Sequence, residues 1–378
     1  MYKKFFMGIA AMAALTLVSC SSDDLNSVSD NSSKNEAISF DGYLGRSAVA
    51  VNGSRGSVET KETLKTKGFG VFGKYDAGDG KTSDFFVNQK VTYSNSKWTY
   101  TPLKYWPTQG KIDFLAYAPH KEGQKLNANT TTFDFTVAPE AANQIDLLWA
   151  NATGQIKTNF EGTTKEKVKF LFKHALSRLG YTVKLSGNYS SSDATFTLKK
   201  ITLAGSPDEI TKAFYTNGTI DLAKTDTKEN LSKTNTATGL WTATPSADNK
   251  QNFTWFKGSY IVKSSDSKHP TTSEDKDYSD KDYLFVIPQD FSLTTESADK
   301  LYVIVVYDVT YTTTHTTITN KVYKKLPIKF EQGKAYMLNF TIGLPIEFDI
   351  DVDTVSGVEN WEEVNDVPGN IDSWDDIK

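Results

Sequence analysis

Ile346-Glu347-Phe348-Asp349-Ile350-Asp351-Val352-Asp353 alternates apolar and acidic side chains through consecutive positions. Successive side chains of a strand point to opposite faces, so a period of two sets Ile346, Phe348, Ile350 and Val352 on one face and Glu347, Asp349, Asp351 and Asp353 on the other. Fully burying four such side chains is worth on the order of 6 to 12 kcal/mol before entropy is counted, large beside the ~5 to 15 kcal/mol that keeps a domain folded. This strand is made for a groove. Two grooves are open to it: the last position of its own sheet, or a vacated edge in a neighbouring chain, where main-chain bonds give affinity and alternate side chains give register.

The same kind of segment recurs along the chain. Phe69 to Phe72, Lys90 to Ser94, Trp98 to Thr101, Lys111 to Ala118, Thr132 to Val137 and Val168 to Phe172 are short, apolar or alternating, and separated by Gly, Asn, Asp and Pro. Tyr181 to Leu185, Thr195 to Leu203, Tyr283 to Ile287, Leu301 to Tyr311, Lys321 to Phe330 and Ala335 to Ile342 continue the series. Helical periodicity is confined to His174 to Leu179 and Ser206 to Phe214, too short to form a layer. So many strands exceed one small sheet, and 378 residues allow more than one domain. The expectation is an all-β protein of two β-sandwich domains in series, residues 36–173 and 174–378, the second ending in the alternating strand. Along Lys111 to Ala118, Ile112, Phe114 and Ala116 fall on one face and Leu115 and Tyr117 on the other, as in a strand buried on both sides.

At the amino terminus, Lys3 and Lys4 precede an apolar run from Phe5 to Val18 that ends at Leu17-Val18-Ser19-Cys20. That run is shorter than the ~20 residues a membrane-spanning helix needs, and it reads as a lipoprotein signal peptide over residues 1–19. Cys20 is the single cysteine. It can form no internal disulfide, so its expected chemistry is acylation of the new amino terminus, which would hold the chain to the outer membrane. Residues 20–35 are Ser, Asp and Asn with little to bury, a tether between lipid and folded chain. The formal net charge of -4 and the lack of a Lys/Arg cluster beyond the signal argue against a nucleic-acid partner.

Trp98-Thr-Tyr-Thr-Pro-Leu-Lys-Tyr-Trp106-Pro-Thr-Gln-Gly110, followed by Ile112-Asp-Phe-Leu-Ala-Tyr-Ala-Pro119, resembles the signature of the fimbrillin-like proteins, lipoprotein pilus subunits of gut and oral anaerobes. Gly68-Phe-Gly-Val-Phe-Gly73, Asp146-Leu-Leu-Trp-Ala150, Val168 to Arg178, and Gly333-Lys-Ala-Tyr with the later Trp361 extend the resemblance over most of the chain. It implies transthyretin-like sandwiches and a surface fimbrial subunit, in the stalk, at the tip or as an anchor. Its partners would be other fimbrial subunits, in a homo- or hetero-polymer, and an adhesive subunit would add a host or bacterial surface ligand. Assembly would proceed by β-strand donation, with Ile346, Phe348, Ile350 and Val352 as the donor face. Ile38 to Tyr43 resembles a removable first strand, and Arg46 or Arg55 behind it would be the site of a trypsin-like cut. The acidic tail beyond Trp361 is longer than a donor strand requires.

No enzyme, cofactor or metal signature accompanies this pattern. Asp349, Asp351 and Asp353 begin like a calcium loop, but Thr354 stands where that loop needs Gly and Asn360 where it needs a bidentate Glu. His120, His174, His269 and His315 lack paired ligand spacing, and His174 reads as a structural histidine satisfied by backbone. Trp98, Tyr105 and Trp106 read as core, with sugar stacking as their alternative use. A surface lipoprotein that binds glycans without polymerising is the competing function, and Trp241, Trp255 and Phe256 beside the polar excursion Lys224 to Lys250 are the residues it would use.

Overall fold

The computed structural model describes residues 37–44, 59–160, 167–224, 240–243, 249–263, 269–271, 274–276, 283–296, 298–344 and 347–354. Its first part comprises β1 (Phe40–Leu44), the helix α1 (Lys61–Lys67), β2 (Phe69–Asp76), β3 (Thr82–Ser94), β4 (Lys97–Thr99), β5 (Lys111–Ala118), β6 (Thr132–Thr136), β7 (Leu148–Gln155) and β8 (Val168–His174). There follow β9 (Ser177–Leu185), β10 (Ala194–Ala204), β11 (Phe214–Tyr215), β12 (Asn217–Asp221), β13 (Trp241–Ala243), β14 (Lys250–Gln251), β15 (Phe253–Val262), β16 (His269–Thr271) and β17 (Glu274–Lys276). The last are β18 (Leu284–Val286), β19 (Gln289–Asp290), β20 (Tyr302–Tyr311), β21 (Thr316–Lys325), β22 (Lys329–Phe330), β23 (Ala335–Gly343) and β24 (Glu347–Thr354). The all-β class read from the alternating segments is the class of the molecule.

A seven-stranded sheet runs in the order β1-β8-β7-β5-β2-β3-β4. Asn95 and Ser96 turn β3 into β4 with φ of 51° and 60°, the paired left-handed conformation that suits a two-residue hairpin loop. One face of the sheet packs Phe69, Val71, Phe86, Ile112, Phe114, Phe170 and Phe172 into a first core. The opposite face of β5 sends Leu115 and Tyr117 into a second core, so the strand expected to be buried on both sides is a wall between the two. The Tyr117 ring lies close against Gly70, where a Cβ would run into it. Its hydroxyl donates to Asn88 Oδ1 at 2.7 Å and accepts from Lys121 N at 3.2 Å, and burial pushes the phenol up to about 12.

The second core lies between the sheets β15-β10-β20-β21 and β18-β9-β23-β24. Phe196, Leu198, Val305 and Tyr307 enter it from one sheet, and Tyr181, Val183, Leu338 and Phe340 from the other. The early strand β6 pairs with β12, Phe133 opposite Ile220, so the chain before residue 174 also contributes to this half of the molecule.

The segment expected as one strand from Lys321 to Phe330 is divided between the end of β21 and β22, and both segments read as helical differ from the structure. Ser177 to Leu179, within the segment read as helical, opens β9, because Ser177, Arg178, Leu179, Gly180 and Tyr181 are all buried and an unbroken buried run carries no period. Ser206 to Phe214 is a series of turns held by Ser206 and Asp208 side chains on the main chain at Thr211 and Ile210, the local bonding by which Ser and Asp compete with a helix.

Candidate functional site

β1 lies at the edge of the seven-stranded sheet and pairs parallel with β8, Phe40 opposite Val168 and Leu44 opposite Phe172. Alternation sends Ile38, Phe40 and Leu44 inward, each 1% exposed. Phe40 enters an aromatic trough, with ring centroids of Tyr100, Phe86, Phe114 and Phe170 at 5.3, 5.5, 5.5 and 5.6 Å. At the entry, the Ile38 N–H donates to Lys104 O and Tyr100 Oη donates to Ile38 O, both at 2.8 Å. Burying three such side chains contributes on the order of 5 to 9 kcal/mol. Ordering the seven residues from Ile38 to Leu44 offsets about 7 to 14 kcal/mol. The strand is therefore held by near balance and by its covalent connection.

The chain is fixed again at Glu59. Its N–H donates to Asp146 Oδ2 at 2.7 Å, and the other oxygen of that carboxylate lies 2.9 Å from His174 Nδ1, with both side chains wholly buried. The sequence reading expected His174 to be satisfied by backbone; the ring is wholly buried with Nδ1 on the Asp146 carboxylate, and its main-chain oxygen accepts from Gln332 Nε2 at 3.5 Å. Burial raises the Glu59 carboxyl above its ordinary range, while Lys67 draws it back down. Thr60 then caps α1 by a reciprocal pair of bonds with Thr63. Cys20, Arg46 and Arg55 lie outside the described residues, as does Ile346.

β24 is the edge strand at the other end of the molecule's sequence. It pairs antiparallel with β23, Phe348 opposite Ile342, Ile350 opposite Phe340 and Val352 opposite Leu338. The alternation read from the sequence is the alternation observed, with Asp349, Asp351 and Asp353 exposed. Among the described residues of its apolar face, Ile350 is buried and Phe348 and Val352 are half-buried. Asp349 pairs with Lys324 of β21, which holds its carboxyl below the ordinary range, and Asp353 accepts from Asn339 Nδ2 at 2.9 Å. Among the described residues, no three His, Cys, Asp or Glu side chains gather to hold a metal.

The aromatic residues considered for sugar stacking divide by burial. Trp241 is buried and donates Nε1–H to Ala175 O, Phe256 is buried in the second core, and Trp255 packs against Tyr181 at 4.7 Å. Trp106 is buried beside Phe114, Trp98 packs on Phe69, and Tyr105 stands 48% exposed. The roles of Asp146, singled out above only as part of a motif, and of Glu59 were missed in the sequence because a buried carboxylate has no local pattern.

The described residues thus form an all-β chain in which β1 fills an aromatic trough and β24 lies on a sheet edge. A sequence profile described as Fimbrillin-like matches residues 57–361, and the chain belongs to that family. It is 26% identical over 402 residues to a protein named fimbrium subunit Fim1C from Phocaeicola vulgatus, an alignment that covers 96% of this chain and 98% of that one. A crystal structure of a fimbrial protein from Bacteroides vulgatus superposes with a TM-score of 0.57 at 21% identity, covering 86% of this chain and 99% of that chain, and so shares the fold.

Proposed function

We propose that the chain is a non-enzymatic subunit of a cell-surface fimbria, joined to its neighbours by strand donation. The observation that carries this reading is the contrast between the two edge strands. β1 occupies a slot that buries Ile38, Phe40 and Leu44 almost completely, whereas β24 leaves Phe348 and Val352 half-buried in its own sheet. Transfer of β24 into a slot like that of β1 would bury the remainder of its apolar face. Arg46 follows Leu44 by two residues, so a cut there would leave β1 held by side-chain burial and its ladder alone. Glu59, clamped by Asp146, would keep the downstream chain in place. Acylated Cys20 would hold the uncut chain to the outer membrane, and a subunit that stays uncut would serve as an anchor.

The test is made on cells by electron microscopy, with Phe348→Asp and Ile350→Asp introduced together. Loss or shortening of fibres is expected, with the purified variant still folded. Fibres unchanged in number and length would refute assembly through β24. Amino-terminal sequencing of fibre subunits tests processing, since subunits that all begin at Cys20 are incompatible with a cut after Arg46 or Arg55.

A further inference from the structure

The two edge strands resemble one another in sequence. Ile38-Ser39-Phe40-Asp41-Gly42-Tyr43-Leu44 aligns without a gap with Ile346-Glu347-Phe348-Asp349-Ile350-Asp351-Val352. Ile, Phe and Asp coincide at the first, third and fourth places, and Leu is answered by Val at the seventh. On the inward face, Leu44 against Val352 differs by one methylene, and the large change of size is Gly42 against Ile350. β24 is thus shaped for a slot of the kind β1 fills, in a defined frame, and the fit turns on the third inward site.

That site is closed in this chain. A Cβ at Gly42 would lie 2.9 Å from Phe69 Cε1 and 3.4 Å from Phe172 Cε2, and isoleucine would bring three further carbons to the same place. Phe69 is wholly buried, and Trp98, Phe172 and Phe170 hold its ring at centroid distances of 4.8, 5.2 and 5.7 Å. A close-packed ring fenced in this way cannot move aside without its neighbours. The tail supplies no alternative in the same direction and frame. Gly357 would set Asp353 and Glu359 at the places of Ile38 and Leu44, and Gly369 would set Asn365 at the place of Ile38 and Pro368 in the ladder.

We infer that Phe69, backed by Phe172, is the specificity-determining residue of the β1 slot: it admits a strand with glycine at the third inward site and refuses this chain's own β24 in that frame. The occupant after loss of β1 is then a strand of a different subunit, of pattern apolar-x-Phe-x-Gly-x-apolar, and β24 is directed to a neighbour with room at that site. This rests on the strand-donation reading for its biological meaning, but the gate itself is tested within one chain.

In the full chain, residues 38–44 are replaced by the sequence of residues 346–352, with and without Phe69→Ala, beside Phe69→Ala and Gly42→Val alone and combined. Melting temperature, near-ultraviolet circular dichroism and monomeric state by gel filtration are measured. The graft and Gly42→Val should each lower the melting temperature by about 3 to 5 °C. Phe69→Ala should cost less in the graft and in Gly42→Val than in the native sequence, because it empties the space that the added side chain needs. A graft that melts with the native chain, or penalties that simply add, would overturn the gate. Donation is tested separately by the fibre experiment: additive penalties with fibres lost on charging β24 refute the gate alone, whereas coupled penalties with fibres intact refute donation alone.

Discussion

The Asp146 carboxylate accepts from the Glu59 main chain and holds His174, partners 87 and 28 residues away in sequence. Neither pairing was legible in the sequence, since hydrogen bonding between distant residues leaves no period or motif. Asp146→Ala would deprive two buried groups of this partner and should destabilise the protein by about 2 to 4 kcal/mol in urea unfolding, with Asp146→Asn less damaging. Glu59 gives a pH signature. Burial raises its folded carboxyl above the ordinary value of 4.5. A raised carboxyl contributes stability that is fully present below that unfolded value and is lost as pH rises through the folded one. The stability of the wild type relative to Glu59→Gln should therefore fall as pH rises above 4.5 and the buried carboxyl is forced to ionise. A difference that grows as pH rises would show that the Lys67 ion pair outweighs burial.

Among the elements, those with clear alternation were legible nearly to the residue. Lys111–Ala118 and the last strand stand where their periods place them, because one or both faces meet a core. β9 was legible only from Tyr181 onward, since its first residues are buried without alternation. β1 was legible as a strand, but the close approach of Gly42 to Phe69 was not. Gly42 matters through its distance to Phe69, and that distance is a product of packing between β1, β2 and β8. The dependence of the slot on its central ring can be measured directly. Phe40→Ala should cost about 3 to 5 kcal/mol, as large-to-small changes at wholly buried aromatic sites do. An effect below about 1 kcal/mol would mean that the trough closes over the missing ring and that β1 is not the plug its burial indicates.

At the scale of the molecule, the sequence division between residues 173 and 174 falls before the last residue of β8, and the packing crosses it. Phe72, Leu115, Tyr117, Phe133 and Trp149 all join the core that β9 to β24 build, and β6 lies in one sheet with β12 and β13. Such crossing contacts could not be read from composition or turns, which mark where a chain bends and not what it bends against. They have a consequence for unfolding. β5 contributes Ile112, Phe114 and Ala116 to one core and Leu115 and Tyr117 to the other, so loss of either core removes one packed face of the same strand. Cooperative units of this kind open together when the shared element cannot remain ordered on one face alone. Single-tryptophan variants that retain Trp106 in the first core or Trp241 in the second should give coincident urea transitions. Leu115→Ala should shift both midpoints equally, because it removes a buried side chain from the strand that forms the wall. Two separated transitions, with only the Trp241 signal moved by Leu115→Ala, would mean that each core folds on its own and that β5 transmits nothing between them.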